Sequence, residues 1–147
     1  MDVPEHLWRY PAQTAIESLA SRFGFVLHPR MQDPEVAWAD AERIDEFLAA
    51  YESDELNEDE CFTLMAITLN SFEFADRPLA LLPQWPRTLA LLERDIATHI
   101  HSVLYFANPR STEEDWVIGR DLWRIAARHA DAFGYVMSSG DESPDRS

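Results

Sequence analysis

The chain has 147 residues, 46% of them hydrophobic and 12% aromatic, so it is long and apolar enough to bury a core and is not globally disordered. Its formal net charge of −15 argues against free nucleic acid or an anionic membrane surface as a ligand, because binding either depends on basic side chains. A single cysteine, Cys61, excludes an internal disulfide and a cysteine-rich zinc site.

The N-terminal third is predicted to hold one regular helix after an irregular lead-in. With four glycines in the whole chain, helices are favoured over turn-rich β-structure. Residues 1–10 form the lead-in, and Pro11 can begin a helix whose apolar face ends at Phe23, before Gly24. The segment 25–38 is compatible with a strand, a loop or a short helix.

The middle of the chain is predicted to hold two strongly patterned helices. Asp40 caps the first, whose buried stripe ends at Tyr51. Asn57 begins the second, and Glu60 stands where a capping box places a glutamate. From Cys61 onward this second helix is apolar around much of its circumference. It is therefore predicted to be the central, most buried helix.

The last third is predicted to contain a helix at about 87–94, which either continues through Asp95 or is followed by a new helix from Asp95 to Ala107, and a last helix at about 122–133. Residues 116–118 are either a helical turn or extended. Residues 138–147 lack apolar side chains apart from proline and are predicted to be a disordered tail. The sequence therefore predicts an all-α, single-domain bundle of five or six helices with an irregular N-terminal lead-in, spanning residues 1–137.

No residue pattern indicates catalysis, a metal site or a cofactor. His99 and His101 are two positions apart, so on a helix they point about 160° apart and cannot share a metal ion. Cys61 lies on an apolar helical face, where a small buried hydrophobic residue is expected. Nucleophile, phosphate-loop and dinucleotide motifs are absent from the sequence. We therefore predict a binding protein that is not an enzyme.

Negative charge is concentrated in one fifth of the chain. Residues 33–60 hold twelve acidic residues and one arginine, a net charge of −11, whereas all other residues together carry −4. Helix capping accounts for Glu58, Asp59 and Glu60, but Glu52, Asp54 and Glu55 have no such local explanation. The pattern favours an anionic face for a basic protein partner, although solubility alone is the alternative. The predicted contact residues are Glu46, Tyr51, Glu52, Asp54, Glu55, Glu58 and Asp59.

A second hypothesis is a small regulatory or ligand-binding helical domain with an aromatic-lined pocket around Trp85, Trp116 and Trp123. An enzyme with scattered active-site residues is a third and weaker possibility. The N-terminus has no signal-peptide pattern, and no apolar run approaches the roughly 20 residues of a membrane span. A cytoplasmic protein is therefore expected, while the sequence does not predict an oligomeric state.

Three stretches carry a family resemblance: ERIDEFLAAY followed by ELNEDECFTLMAITLNSFE, then LLERDIATHIHSVLYFANP, then EEDWVIGRDLWRIA. Together they cover about residues 40–128 and resemble small bacterial immunity proteins of toxin–immunity loci, including those of type VI effectors. The resemblance implies a cytoplasmic, non-enzymatic antidote that binds a cognate secreted toxin and blocks its active site. It transfers no residue roles, because immunity surfaces vary with the toxin.

Overall fold

A computed structural model describes residues 3–28, 33–107 and 117–137. Within these ranges every regular element is helical and no β-strand occurs, which confirms the predicted all-α class and its irregular start. The α-helices are α1 (Gln13–Phe23), α2 (Pro34–Ala37), α3 (Ile44–Glu52), α4 (Glu58–Glu73), α5 (Gln84–Arg94), α6 (Ile96–Ala107) and α7 (Gly119–Phe133). Short 3₁₀-helices cover Glu5–Leu7, Ala41–Arg43 and Leu79–Leu81.

The described residues contain seven α-helices, and the addition to the predicted five or six is the single turn of α2. It begins at Pro34, whose missing N–H costs nothing in the first turn of a helix. Residues 25–28 before it are neither helix nor strand, and Val117 and Ile118 form a turn. The predicted tail at 138–147 and Trp116 lie outside the described residues.

Residue contacts divide the chain into two compact units, one formed by Tyr10–Thr98 and the other by Met1–Arg9 with His99–Ser147. One domain over residues 1–137 therefore stays a prediction. Among the helices that the structure describes, none is both long and apolar enough to cross a membrane.

Helix α4 is the core of the Tyr10–Thr98 unit. Its residues are buried without interruption from Phe62 to Phe72, and α1, α2 and α3 all pack against it. A helix that is buried on all sides needs apolar residues around most of its circumference, which its sequence has. The predicted burial of this helix is confirmed, and within the Tyr10–Thr98 unit it is central.

The polar residues of α4 are satisfied mostly within the helix itself. The side chains of Thr68, Asn70 and Ser71 each donate to the carbonyl oxygen four residues earlier, at 2.8–3.1 Å. Ser71 Oγ also accepts a hydrogen bond from the Asp40 backbone N–H at 2.9 Å. This bond connects the start of the 3₁₀-helix Ala41–Arg43 to α4. These bonds allow hydroxyl and amide groups to be buried at low cost.

An aromatic cluster joins the end of α1 to the start of α3. The ring of Phe25 stacks on Trp38 with 4.4 Å between centroids, and Phe23 meets Phe47 edge to face. The guanidinium of Arg43 lies within 5.2–5.6 Å of the three phenylalanine rings and donates to the Phe23 carbonyl at 2.9 Å. Cation–π attraction and packing therefore fix Arg43 in place.

In the other unit, α7 buries an apolar stripe and ends at a left-handed glycine. Leu122, Ile125 and Ala126 are buried on one face, and Ile118 is buried just before the helix. Gly134 ends α7 in the left-handed conformation, with φ of 70°, as glycine does at this position. The hydroxyl of Tyr135 then donates to the Ala126 carbonyl, folding the chain back onto the helix.

Candidate functional site

The acidic surface is the set of exposed carboxylates on α3, on the turn after it and on the first turn of α4. Helical spacing separates it from the core, because Ile44, Phe47 and Leu48 point inward while the positions between them point outward. The acidic surface consists of Asp45, Glu46, Glu52, Asp54, Glu55, Glu58 and Asp59, all exposed.

Tyr51 was expected among the contact residues but belongs to the core. Its side chain is 3% exposed, and its hydroxyl donates to Asp95 Oδ2 at 2.7 Å. The guanidinium of Arg94 lies 5.8 Å from the Tyr51 ring centroid and pairs with Asp95. Burial and the neighbouring carboxylate raise the pKa of Tyr51. We therefore exclude Tyr51 from the acidic surface, since a buried ring cannot touch a partner without unpacking α3.

The turn between α3 and α4 is held by short-range hydrogen bonds. Ser53 Oγ donates to the Ala50 carbonyl at 2.6 Å and accepts from the Glu55 backbone N–H at 3.2 Å. Asp54 sits between them with φ of 64°, in the left-handed region that aspartate tolerates better than most residues. The turn therefore presents the Asp54 carboxylate in a defined backbone conformation.

The start of α4 has the capping box that the sequence predicts. Asn57 Oδ1 accepts from the Glu60 N–H at 2.8 Å, and Glu60 Oε1 accepts from the Asn57 N–H at 2.8 Å. The hydroxyl of Ser18 on α1 also donates to Glu60. Glu58 and Asp59 occupy the same first turn, where the helix dipole favours anions. The structural explanation for these three acidic residues is confirmed.

Arginines from other helices pair with acids for which the sequence offered no structural explanation. Arg87 on α5 binds Glu52, with 3.0 Å from Nε to Oε2, and this hydrogen bond lowers the pKa of Glu52. Arg22 on α1 binds Glu55 at 2.7 Å. These partners are 35 and 33 residues away in the chain, so helical periodicity does not reveal them.

Glu46 has a local partner, Arg43, at 2.8 Å, and the hydrogen bond from that guanidinium lowers the pKa of Glu46. All three ion pairs lie at the surface, where each contributes little to stability. The pairs fix the direction of three of the seven carboxylates and reduce the negative potential of the acidic surface.

Cys61 and His101 are half-buried, and His99 is buried. Burial, followed by the charge of Asp95, raises the pKa of the half-buried Cys61 thiol, which opposes formation of a nucleophilic thiolate. His99 is fully buried, and His101 accepts a hydrogen bond from the Arg9 backbone N–H. In the part of the chain that the structure describes, no three His, Cys, Asp or Glu side chains are grouped to hold a metal ion.

The aromatic residues of the pocket hypothesis are Trp85, Trp116 and Trp123. Trp85 is 4% exposed, and its ring meets Phe72 edge to face with 4.8 Å between centroids, so it fills the core beside α4. Trp123 is half-buried in the other unit, and Trp116 lies outside the described residues.

Comparison with known proteins gives no relative: no protein-family model, no curated protein and no solved structure matches this chain.

Proposed function

We propose that this protein is an immunity protein, a non-enzymatic cytoplasmic inhibitor that binds a cognate secreted antibacterial toxin through the acidic surface and blocks its active site. The observation that carries the proposal is the concentration of charge: residues 33–60 hold −11 of the net −15, and seven of their exposed carboxylates form the acidic surface. The resemblance of residues 40–128 to immunity proteins of type VI and related loci agrees with it.

The chemistry of the surface specifies the kind of partner. A field of this sign attracts a basic protein surface and accelerates its association. Toxins that act on nucleic acids or other anionic substrates need a cationic active-site cleft, and an acidic surface seated in such a cleft excludes the substrate. We therefore expect a toxin of that type, and the first step is to identify the adjacent gene.

The ion pairs support a rigid presentation of the surface. Arg22 and Arg87 hold Glu55 and Glu52 from opposite flanking helices, and Arg43 holds Glu46. Side chains that are already ordered lose less conformational entropy when a partner binds. A partner cation would add to these pairs at the outer carboxylate oxygens or displace the arginine from them.

The test is a charge reversal on the acidic surface with a matched control. The surface variant carries Glu52→Lys, Asp54→Lys, Glu55→Lys and Glu58→Lys. The control carries Glu5→Lys, Glu17→Lys, Asp76→Lys and Asp131→Lys, four exposed acids outside the surface. Both variants have a net charge of −7, since four reversals change −15 by +8.

Binding to the toxin of the adjacent gene is measured by calorimetry at two salt concentrations, together with protection of cells that express the toxin. We expect the surface variant to lose at least about 100-fold in affinity, most of its salt dependence and its protection, because charge pairs across an interface become repulsive. The control should lose about tenfold or less. Equal losses in both variants would show that only the total charge matters, and unchanged binding in the surface variant would refute the assignment.

A further inference from the structure

The N-terminal strap, residues Val3–Arg9, is fastened to two helices of its own unit through histidine side chains. It contains the 3₁₀-turn Glu5–Leu7, and Trp8 Nε1 closes it by donating to the Val3 carbonyl at 2.8 Å. His6 Nε2 lies 2.9 Å from the carbonyl oxygen of Phe133, at the end of α7. At the other end, the Arg9 backbone N–H donates to His101 Nδ1 of α6, at 3.3 Å.

The two hydrogen bonds that hold the strap, one at His6 and one at His101, respond to protonation in opposite ways. His6 is the donor at its end, because a carbonyl oxygen can only accept, so its hydrogen bond survives when the ring gains a proton. His101 is the acceptor at its end, so a proton on Nδ1 replaces the lone pair that receives the Arg9 N–H. Two donors would then face each other.

The surroundings of His101 add to this sensitivity. The ring is half-buried, and burial lowers its pKa because the charged form loses hydration. Tyr105, one turn along α6, stacks on it with 6.4 Å between centroids and 11° between planes. The contacts described at the ring are thus the Tyr105 ring on its own helix and the Arg9 backbone N–H on the strap.

We propose that the strap is a pH-sensitive latch: protonation of His101 releases the Arg9 end from α6, while His6 keeps the other end on α7. The fastened state requires neutral His101, and in the released state the ring is hydrated and titrates near the ordinary histidine value of about 6.5. The fastened state therefore has its full stability above that pH, and loses it progressively as the pH falls towards the lowered pKa of the fastened state.

Amide hydrogen exchange of the full-length protein tests the latch, with each rate corrected for the intrinsic pH dependence of exchange. From pH 7.5 to 5.0 the protection of the Arg9 amide should fall roughly tenfold for each unit by which burial lowers the pKa of His101. The amides of Leu7 and Trp8, which donate to Pro4 and Glu5 within the strap, should keep their protection.

Two variants distinguish protonation of His101 from a general loosening of the strap. In His101→Asn, the side-chain oxygen takes the place of Nδ1 and does not titrate, so protection at Arg9 should become independent of pH. In His101→Leu the acceptor is lost, and protection should be low at both pH values. Protection at Arg9 that is unchanged by acid in the wild type, or that falls equally in His101→Asn, would overturn the proposal. Circular dichroism at each pH checks that the helices persist.

Discussion

At the scale of single residues, α4 shows how differently two buried hydroxyl groups on one helix can behave. Thr68 is buried and its Oγ1 donates to the Leu64 carbonyl at 2.8 Å. Thr63 is equally buried, yet in the described part of the molecule its Oγ1 has no hydrogen-bond partner. A buried hydroxyl without a partner has lost its hydration without compensation, which costs about 1–3 kcal/mol. Thr68 and Thr63 therefore allow a buried hydroxyl with a hydrogen-bond partner to be compared with one that has none.

We predict that Thr63→Val raises the free energy of unfolding by about 1 kcal/mol, because valine has nearly the same shape and no polar atom to desolvate. Thr68→Val is the control: it removes a satisfied hydrogen bond and should be neutral or destabilising by up to about 1 kcal/mol. Urea denaturation at pH 7 measures both. Stabilisation of equal size in the two variants would contradict the distinction drawn between the hydroxyls.

At the scale of elements, the start of α4 joins the fold to the candidate site. The capping box orders the first turn, and that turn carries Glu58 and Asp59 of the acidic surface. Ser18 reaches the same turn from α1 by donating to Glu60. The local stability of this helix end and the presentation of the carboxylates therefore depend on the same hydrogen bonds.

We predict that Asn57→Ala lowers the free energy of unfolding by about 0.5–2 kcal/mol, since the Glu60 N–H loses the side-chain acceptor that caps it. Asn57→Ser keeps an acceptor at the cap and should cost much less. Both are measured by chemical denaturation, with the helix content followed by circular dichroism. A serine variant as unstable as the alanine variant would show that the cap contributes little.

Local signals predicted the elements well because helices are local structures. The cap at Asn57, the apolar circumference of α4 and the stop at Gly24 are all readable within a few residues. The single turn of α2 was left open because Pro34 and its neighbours carry too short a pattern to separate a helix from a loop.

The candidate site was less predictable because its details depend on contacts between distant parts of the chain. The acids at 52 and 55 could be identified as exposed, but their partners Arg87 and Arg22 come from helices whose packing the sequence does not reveal. Tyr51 was misplaced for a similar reason. An aromatic residue at that helical position is compatible with a core and with an interface. The hydrogen bond from Tyr51 to Asp95, 44 residues later in the chain, places it in the core.

At the scale of the whole molecule, a charge of −15 on 147 residues opposes compaction. Like charges that are spread over a folded surface repel one another, and the repulsion is relieved when the chain expands. Salt screens exposed charges over about 10 Å at 0.1 M. The ion pairs of the acidic surface are weakened by the same screening, but carboxylates exceed arginines by more than two to one in the whole chain.

We predict that raising NaCl from 10 mM to 300 mM increases the melting temperature by a few degrees, equivalent to about 1–2 kcal/mol for a chain of this size. The surface variant with four reversed charges has a net charge of −7 and should gain less than half as much. Thermal unfolding followed by circular dichroism measures both proteins. A wild-type melting temperature that falls with salt would mean that attraction outweighs repulsion in the folded state.

On α3 and the turn after it, different positions supply the core and the exposed acids, and this separation has an evolutionary consequence. Core residues and exposed acids alternate on the same helix without sharing a position, so a change of partner needs no change in the core. Glu52 and Glu55 are less free to vary, because replacing either leaves Arg87 or Arg22 without its carboxylate. Related chains that bind different partners should therefore change positions 52 and 55 together with the arginines.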